Sequence, residues 1–259
     1  MPWKRLAGAV GLVVVLLSAW MNGCGAVSGE KPLRMAGQAG MAALVLEKTG
    51  AYLAAAENRE NAAARLQNPE ADLFSVLRGA DCCAAATPWA LGADRLDGAL
   101  MCPDAAAKFL KTHPEFVSLG PALINSDVLV VSGEIKKGTG SFKIGVSHKR
   151  SHQLKMVERL YGKTASPVPM LPAALPYALK RGDVDAAIMD LAVATASGLP
   201  IRPWTGPPVV TQELVIKKDF FTSPAFPAFV SAYTDACADI QDQYPETGLI
   251  IPLLHPRSP

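Results

Sequence analysis

Two adjacent cysteines are the most reactive group in the sequence. Cys82 and Cys83 lie within residues 81–88 (Asp-Cys-Cys-Ala-Ala-Ala-Thr-Pro), which predict a small-residue strand followed by a turn. A thiolate is a nucleophile and a soft-metal ligand, so the pair predicts a site for a soft ligand or a redox-sensitive site. The structural alternatives are two small buried hydrophobic residues and a disulfide between Cys83 and Cys102.

A glycine-rich turn after the first predicted strand is a second candidate. Residues 37–41 read Gly-Gln-Ala-Gly-Met, and glycine lets a backbone approach a ligand closely and offer its N–H groups. Gln38, Gly40 and Met41 are therefore candidate ligand contacts, with an ordinary turn as the alternative. Met41 could also add soft sulfur with Met101 and Met189, although methionine more often fills cores.

A polar run opens the longest predicted helix, which the pattern places from Ser147 to residue 161. Residues 147–152 read Ser-His-Lys-Arg-Ser-His, and Ser147, Lys149 and Ser151 could hold an oxyanion at the helix start. His148 is a further candidate ligand contact. The alternative is a solvated polar turn. His148 and His152 would share a helical face, but no third ligand lies nearby in sequence, so we predict no metal site.

Isolated residues complete the candidate set. Asp190 follows a predicted buried strand and could bind a ligand amine or pair with a basic residue. Thr87 lies close to the cysteine pair and is a further candidate contact. Tyr177 and Trp204 could stack on a planar ligand, with simple packing as the alternative, and Cys237 is expected in the core.

The first residues read as a targeting segment. Lys4 and Arg5 precede an apolar run that ends at Trp20, which is short for a membrane span and typical of a secretion signal. The sequence Met-Asn-Gly before Cys24 resembles a bacterial lipobox, with Met21 where leucine is preferred. We expect a signal peptide over 1–23 and a lipidated, palmitate-carrying Cys24 with a tether over 24–30. Ordinary cleavage, or retention as a signal anchor, is the alternative.

The composition argues against two classes of protein. The chain has 259 residues, half of them hydrophobic, and a formal net charge of +2, which argues against disorder and against nucleic-acid binding. Removal of Lys4 and Arg5 with the leader leaves 23 basic and 23 acidic residues. The mild basicity therefore belongs to the targeting segment, and bulk charge does not identify a ligand.

The remaining pattern alternates strands with helices. Strands are predicted at 32–37, 81–86, 96–100, 116–132 (two pieces), 142–146, 184–189 and 209–217. Helices are predicted at 41–48 with Gly50 as the stop, and at 71–78, 147–161, 173–180 and 227–240. This alternation predicts an α/β fold with mostly parallel sheets. Arg78-Gly79 and Arg181-Gly182 have the same predicted context: each follows a short helix and precedes an Asp and a small-residue strand. This similarity suggests two lobes of similar build, with chance similarity in an Ala-rich chain as the alternative.

The order of these features resembles a solute-binding lipoprotein of ABC importers, of the type II periplasmic-binding-protein fold. The resemblance rests on Cys24, the opening strand at residues 33–37, the two Arg-Gly segments and residues 143–147 (Lys-Ile-Gly-Val-Ser) before a helix. It is nearest to the nitrate, taurine, alkanesulfonate and thiamine-precursor receptors. The cysteine pair is similar to a branch that carries cysteine or selenocysteine at this place.

The resemblance implies an architecture and partners. Lobe one would comprise 31–127 and 214–259, and lobe two with the hinge segments 128–213, crossing near 128–131 and 209–215. A small polar or anionic ligand would bind between the lobes, and the cysteine branch implies one that contains sulfur or selenium. The chain would be a monomer anchored by lipid in the periplasm or at the cell surface, serving a permease and an ATPase, without a cofactor and without nucleic acid.

An enzyme is the rival hypothesis. Cys82 and Cys83 could perform extracytoplasmic thiol chemistry or sense redox state. No Cys-x-x-Cys and no Gly-x-Ser-x-Gly occurs in the sequence, so a binding function without catalysis is the primary prediction.

Overall fold

The structure is a computed structural model that describes residues 32–60, 74–79, 86–132 and 142–252. The predicted leader, the tether with Cys24 and the pair Cys82–Cys83 lie outside the described residues. None of the helices within these ranges is long and apolar enough to cross a membrane.

One five-stranded sheet has the order β2-β1-β3-β10-β4. Its strands are β1 (Leu33–Gln38), β2 (Phe74–Gly79), β3 (Gly98–Met101), β4 (Phe116–Ile124) and β10 (Val210–Lys217). Strand β1 pairs in parallel with β2 and β3, whereas β10 runs antiparallel to β3 and β4. The late strand β10 thus returns to the sheet that the chain builds first.

A second five-stranded sheet has the order β7-β6-β8-β5-β9. Its strands are β5 (Asp127–Val131), β6 (Phe142–Ser147), β7 (Ala165–Met170), β8 (Ala186–Asp190) and β9 (Ile201–Arg202). Strand β6 pairs in parallel with β7 and β8, and β5 runs antiparallel to β8 and β9. The prediction of a two-lobed α/β fold is confirmed, and each sheet is mixed rather than mostly parallel.

Eight α-helices lie within the described ranges. They are α1 (Met41–Glu60), α2 (Ala86–Gly92), α3 (Pro103–Leu110), α4 (Ser151–Tyr161), α5 (Leu175–Arg181), α6 (Leu191–Ser197), α7 (Lys218–Phe221) and α8 (Phe226–Gln243). Single 3₁₀ turns follow α4 at Gly162–Thr164 and precede α5 at Pro172–Ala174. The largest buried cluster contains side chains from both lobes, including Met35, Val128 and Met189.

Two segments connect the sheets. The chain leaves β4 through Asn125 and Ser126 and returns through residues 203–209. Asn125 has a positive φ of 58°, and its amide donates to Gly248 O at 2.9 Å and accepts from Val209 N at 2.9 Å. The Ser126 and Thr211 hydroxyls hydrogen-bond at 2.6 Å. Residues 128–131, expected near the hinge, belong to β5, which directly follows the crossing at Asn125 and Ser126.

Some predicted elements were wrong. Helix α1 continues past Gly50 to residue 60, and residues 74–78, predicted as helix, form β2 because they pair with β1 in parallel register. Arg78 therefore lies in a strand, whereas Gly182 ends helix α5 with a φ of 76°, so the two Arg-Gly segments are not a structural repeat. Thr87, expected in a turn, lies in α2.

Candidate functional site

The turn between β1 and α1 contacts the other lobe. Asp190 ends β8, and its carboxylate accepts from Met41 N at 2.9 Å and 3.1 Å through its two oxygens. It also accepts from Ala192 N at 2.9 Å, which caps α6. The first turn of α1 has no acidic residue of its own. The Asp190 carboxyl group therefore accepts from the first N–H group of α1, which has no intrahelical partner.

Gly40 makes this approach possible. Its φ is 134°, and a Cβ atom at this position would lie 2.5 Å from Cγ and Oδ1 of Asp190. A side chain here would push the carboxylate away and would adopt a conformation that only glycine tolerates. The glycine in this turn is thus required by a contact between lobes.

A buried ion-pair network lies beside Asp190. Asp127 is opposite Asp190 in the register of β5 and β8 and is fully buried. Arg150 Nη1 donates to both of its oxygens at 3.2 Å and 3.3 Å. His152 Nε2 lies 2.6 Å from Oδ2, and Gln153 Nε2 donates to the same atom at 2.9 Å. All three partners come from the start of α4.

The surroundings of Asp127 and Asp190 shift the pKa values of the two carboxyl groups in opposite directions. Burial by itself would raise the pKa of Asp127, but Arg150, His152 and Gln153 together hold that pKa well below its usual range. Burial, followed by the charge of Asp127, raises the pKa of Asp190 to about 7, although the Met41 amide and Arg150 oppose the rise. Two neighbouring acids with opposite shifts divide into one fixed charge and one that titrates near neutrality.

The start of α4 differs from the prediction. Strand β6 extends through Ser147, whose N–H donates to Gln153 Oε1 at 2.6 Å, and the helix begins at Ser151 with Arg150 as its N-cap residue. His148 and Lys149 are exposed in the intervening turn, where Lys149 has a φ of 63°. His148 and His152 therefore do not share a helical face. Ser147 is not the N-cap, because it ends β6 and the helix begins four residues later.

A cavity of about 270 Å³ lies where α3, α4 and the returning segment meet. Its lining residues are Pro103, Asp104, Ser151, His152, Lys155, Arg159, Pro208, Val209 and Val210. Asp104 follows a strand of the first sheet and accepts a hydrogen bond from Ser151 of the other lobe. The cavity thus combines three basic side chains of one helix, one carboxylate and an apolar wall.

The remaining predicted contacts are dispersed. Gln38 is buried at the end of β1, and its Oε1 has no hydrogen-bond partner in the part of the chain that the structure describes. Thr87 is buried in α2, whereas Tyr177 is 71% exposed and does not line the cavity. Trp204 is buried and donates to Pro207 O at 2.7 Å, which favours packing over ligand stacking.

The predicted sulfur atoms lie mostly in the core. Met41, Met101 and Met189 are all buried in hydrophobic clusters. Cys102 is buried at the start of α3, and its proposed disulfide partner Cys83 lies outside the described residues. Cys237 is buried in α8, and burial raises the pKa of its thiol to about 12.

Six charged or polar residues of this site were not predicted from the sequence: Asp104, Asp127, Arg150, Gln153, Lys155 and Arg159. Asp127 carried a signal, because it directly precedes the apolar run 128–131. A charged residue at the edge of a buried strand requires a partner, but the sequence does not say which one. Among residues 32–60, 74–79, 86–132 and 142–252, no group of three or more His, Cys, Asp or Glu could hold a metal ion.

Comparison with known proteins identifies the architecture. A periplasmic substrate-binding protein of an ABC transporter from Coxiella burnetii matches with a TM-score of 0.61 at 16% identity, covering 85% of this chain and 100% of the other. A nutrient-binding protein from Burkholderia cenocepacia, bound to methionine, has the same score and identity over 85% and 99% of the two chains. This chain has the type II periplasmic-binding-protein fold.

Proteins with this fold that match the chain include lipoproteins. Immunogenic lipoprotein A from Vibrio vulnificus matches with a TM-score of 0.59 at 13% identity, covering 81% of this chain and 99% of the other. No protein-family model and no curated protein matches the sequence. In this chain, the contact of Asp190 with Met41 and the cavity beside α4 both lie between the two lobes.

Proposed function

We propose that this chain is the extracytoplasmic solute-binding component of an ABC importer. The observation that carries the proposal is the cavity between the lobes, in which Asp104 of α3 faces Ser151, His152, Lys155 and Arg159 of α4. The fold is shared with the substrate-binding proteins of such importers. Binding without catalysis is the function that this arrangement supports, since pockets of this type use a few polar groups in an apolar frame.

The proposed ligand is a small polar or anionic molecule. Lys155 and Arg159 are exposed and lie four residues apart on one face of α4, so they would hold its anionic group. The apolar wall at residues 208–210 would contact its hydrophobic part. The backbone amide of Met41, at the start of α1, already donates to the Asp190 carboxylate. A ligand anion is therefore expected at α4 rather than at α1.

Several ligand contacts predicted from the sequence are part of this proposal. Gln38 offers a buried Oε1 without a partner in the described residues, which suits a hydrogen-bond donor on a ligand that enters when the lobes separate. Cys82 and Cys83 are proposed to add contacts for a ligand that contains sulfur or selenium. Thr87, Ser147, His148 and Lys149 do not line the cavity and are secondary candidates.

A binding screen tests the proposal. We expect the thermal midpoint of the full-length protein to rise in the presence of at least one member of a panel of sulfonates, carboxylates, amino acids, selenium oxyanions, thiols and pyrimidines. Lys155→Met and Arg159→Met should each weaken that ligand roughly ten- to hundredfold, as expected for a lost charge-assisted hydrogen bond. Arg181→Met removes an exposed cation of lobe two that pairs with Asp183 and is the matched control.

Two outcomes decide between this proposal and its rivals. Equal losses for Lys155→Met and Arg181→Met would reject the α4 site. Solution scattering adds an independent check, because a bound solute should compact a two-lobed receptor. Bound ligand without compaction would contradict a receptor that closes around its solute.

The cysteine pair has its own test. If Cys82 and Cys83 contact ligand, the double substitution Cys82→Ser with Cys83→Ser abolishes binding and leaves the thermal midpoint unchanged. A large fall in the midpoint would make the pair structural. Consumption of a thiol or disulfide substrate by the wild type, and its loss in the double variant, would favour the alternative of an extracytoplasmic thiol enzyme or redox sensor.

The partners and location belong to the same proposal. The receptor would be a monomer that delivers its solute to a membrane permease driven by an ATPase, without a cofactor and without nucleic acid. Lipidation at Cys24 would hold it at the membrane, in the periplasm or at the cell surface. Cys24→Ser should abolish incorporation of labelled palmitate and release the protein from the membrane fraction, and unchanged membrane retention would reject this anchor.

A further inference from the structure

The contact between Asp190 and the start of α1 joins the two lobes through one carboxyl group. Asp190 Oδ1 accepts both of the 2.9 Å hydrogen bonds, from Met41 N and from Ala192 N. The other oxygen accepts only the longer bond of 3.1 Å from Met41 N. Oδ2 can therefore carry a proton while Oδ1 keeps both of its shorter bonds.

The neighbours of Asp190 disfavour a second negative charge. Asp127 of β5 is its direct partner across the strands, and like charges at such positions repel. Arg150 and His152 of α4 face Asp127 and bind its oxygens. From α1 and α6, the groups that face Asp190 are the backbone amides of Met41 and Ala192.

Solvent reaches Asp190 poorly while the lobes touch. Asp190 is 7% exposed and Met41 is fully buried. The backbone of Gly40 lies so close to the Asp190 carboxylate that no space remains between them. Separation of the lobes would remove Gly40 and Met41 from the carboxyl group and admit water. A hydrated carboxylate is far more stable than one buried beside another acid.

We infer that the contact of Asp190 with Met41 is a proton-dependent latch between the lobes, which protonation keeps closed and ionisation loosens. This inference rests on the proposed receptor function only in what the latch regulates, namely solute access. The latch itself requires no ligand. It makes the affinity for solute fall as pH rises, because the closed form would be less populated.

The direction of the pH dependence follows from the difference in proton affinity between the closed and open forms. The pKa of Asp190 is raised to about 7 in the contact, whereas an exposed Asp titrates near about 4. The closed form therefore binds the proton more tightly, and acidification favours closure. Since one pKa unit is a tenfold change, the ratio of closed to open protein should fall up to roughly a hundredfold between about pH 5 and pH 8.

Hydrogen exchange at Met41 measures the latch without any ligand. In the full-length wild type, protection of the Met41 amide should fall steeply between pH 5 and pH 8, relative to the Asp190→Asn variant at each pH. Asparagine mimics the neutral carboxyl group and should keep the Met41 amide protected throughout. Asp183→Asn removes an exposed acid of the same lobe and should keep the wild-type profile.

The difference between the exchange profiles of the wild type and Asp190→Asn tests the latch. Parallel profiles for the wild type and this variant would overturn the latch. If Asp190→Asn does not fold, the wild type still provides the test: protection at Met41 must fall with pH while protection at Leu46, in the middle of α1, stays constant. A parallel fall at both amides would indicate global destabilisation and would also overturn it.

The outcome separates the latch from the receptor function. A pH-dependent Met41 amide in a protein that binds no member of the solute panel would support the latch and reject the proposed ligand site. Ligand binding and compaction with a pH-independent Met41 amide would reject the latch and leave the receptor intact.

Discussion

Replacement of Asp127 by asparagine tests the network that joins β5 to α4. The carboxylate is fully buried and accepts hydrogen bonds from Arg150, His152 and Gln153. Asparagine keeps the shape but removes the charge and presents an N–H₂ group to donors. Arg150, which is 2% exposed, would then be a buried cation without its carboxylate.

The magnitude follows from this burial. Breaking a buried ion pair by removal of one partner costs about 3–5 kcal/mol, and we expect Asp127→Asn to lower the free energy of unfolding by that amount. For a chain of this size, about 2–4 °C per kcal/mol converts the loss to a decrease of roughly 6–20 °C in the thermal midpoint. Asp183→Asn breaks an exposed pair with Arg181 and should cost less than about 1 kcal/mol.

Urea unfolding followed by far-UV circular dichroism is the assay. The double variant Asp127→Asn with Arg150→Met should recover much of the loss, because it removes the buried cation together with its carboxylate partner. The lowered pKa of Asp127 adds a pH signature: its contribution is full above about pH 4, the usual Asp range, and declines in more acidic solution as the unfolded chain takes up the proton. A loss below about 1 kcal/mol at neutral pH, or no recovery in the double variant, would refute the reasoning.

Three further outcomes are expected. Gly50→Ala should destabilise the protein despite the better helix propensity of alanine, because its Cβ would lie 2.6 Å from Cδ1 of Phe74; an increased midpoint in urea would contradict this packing. Asn125→Ala should lower the free energy of unfolding by about 2–4 kcal/mol through the lost hydrogen bonds and the positive φ, whereas Asn125→Gly should lose less. Peptide mapping after alkylation should find Cys237 unmodified at pH 8 in the folded protein, since its buried thiol has a pKa of about 12; rapid labelling there would show that α8 opens.

Several features of the fold could be predicted from local pattern alone. The alternation of apolar strands with helices is a property of neighbouring residues, and it identified β1, β6, β8, β10 and α8 to within a few residues. Asp190 was found in the same way, because a carboxylate at the end of a buried strand stands out from its neighbours. Gly40 was predicted to let the backbone approach a ligand, and the group that it approaches in the structure is the Asp190 carboxylate.

Other elements depended on partners distant in sequence. Residues 74–78 have a pattern compatible with a short helix, and they form β2 because β1 offers parallel hydrogen bonds. Strand β7 was missed because it contains Pro167 and Pro169, which are tolerated there since β7 lies at the edge of its sheet. Gly50 reads as a helix stop, but it lies inside α1 where the ring of Phe74 leaves no room for a side chain.

The sequence by itself determined the α/β class and the strand ends that carry polar residues, because hydrophobic periodicity and glycine placement act over a few residues. Only the tertiary structure decided what those residues touch. Asp190 was expected to hold a ligand amine or a basic side chain, and it instead accepts from the Met41 amide, 149 positions away in the chain. Asp127 likewise pairs with Arg150, because burial makes an unpaired charge costly. The tertiary structure determines which partner lies within reach.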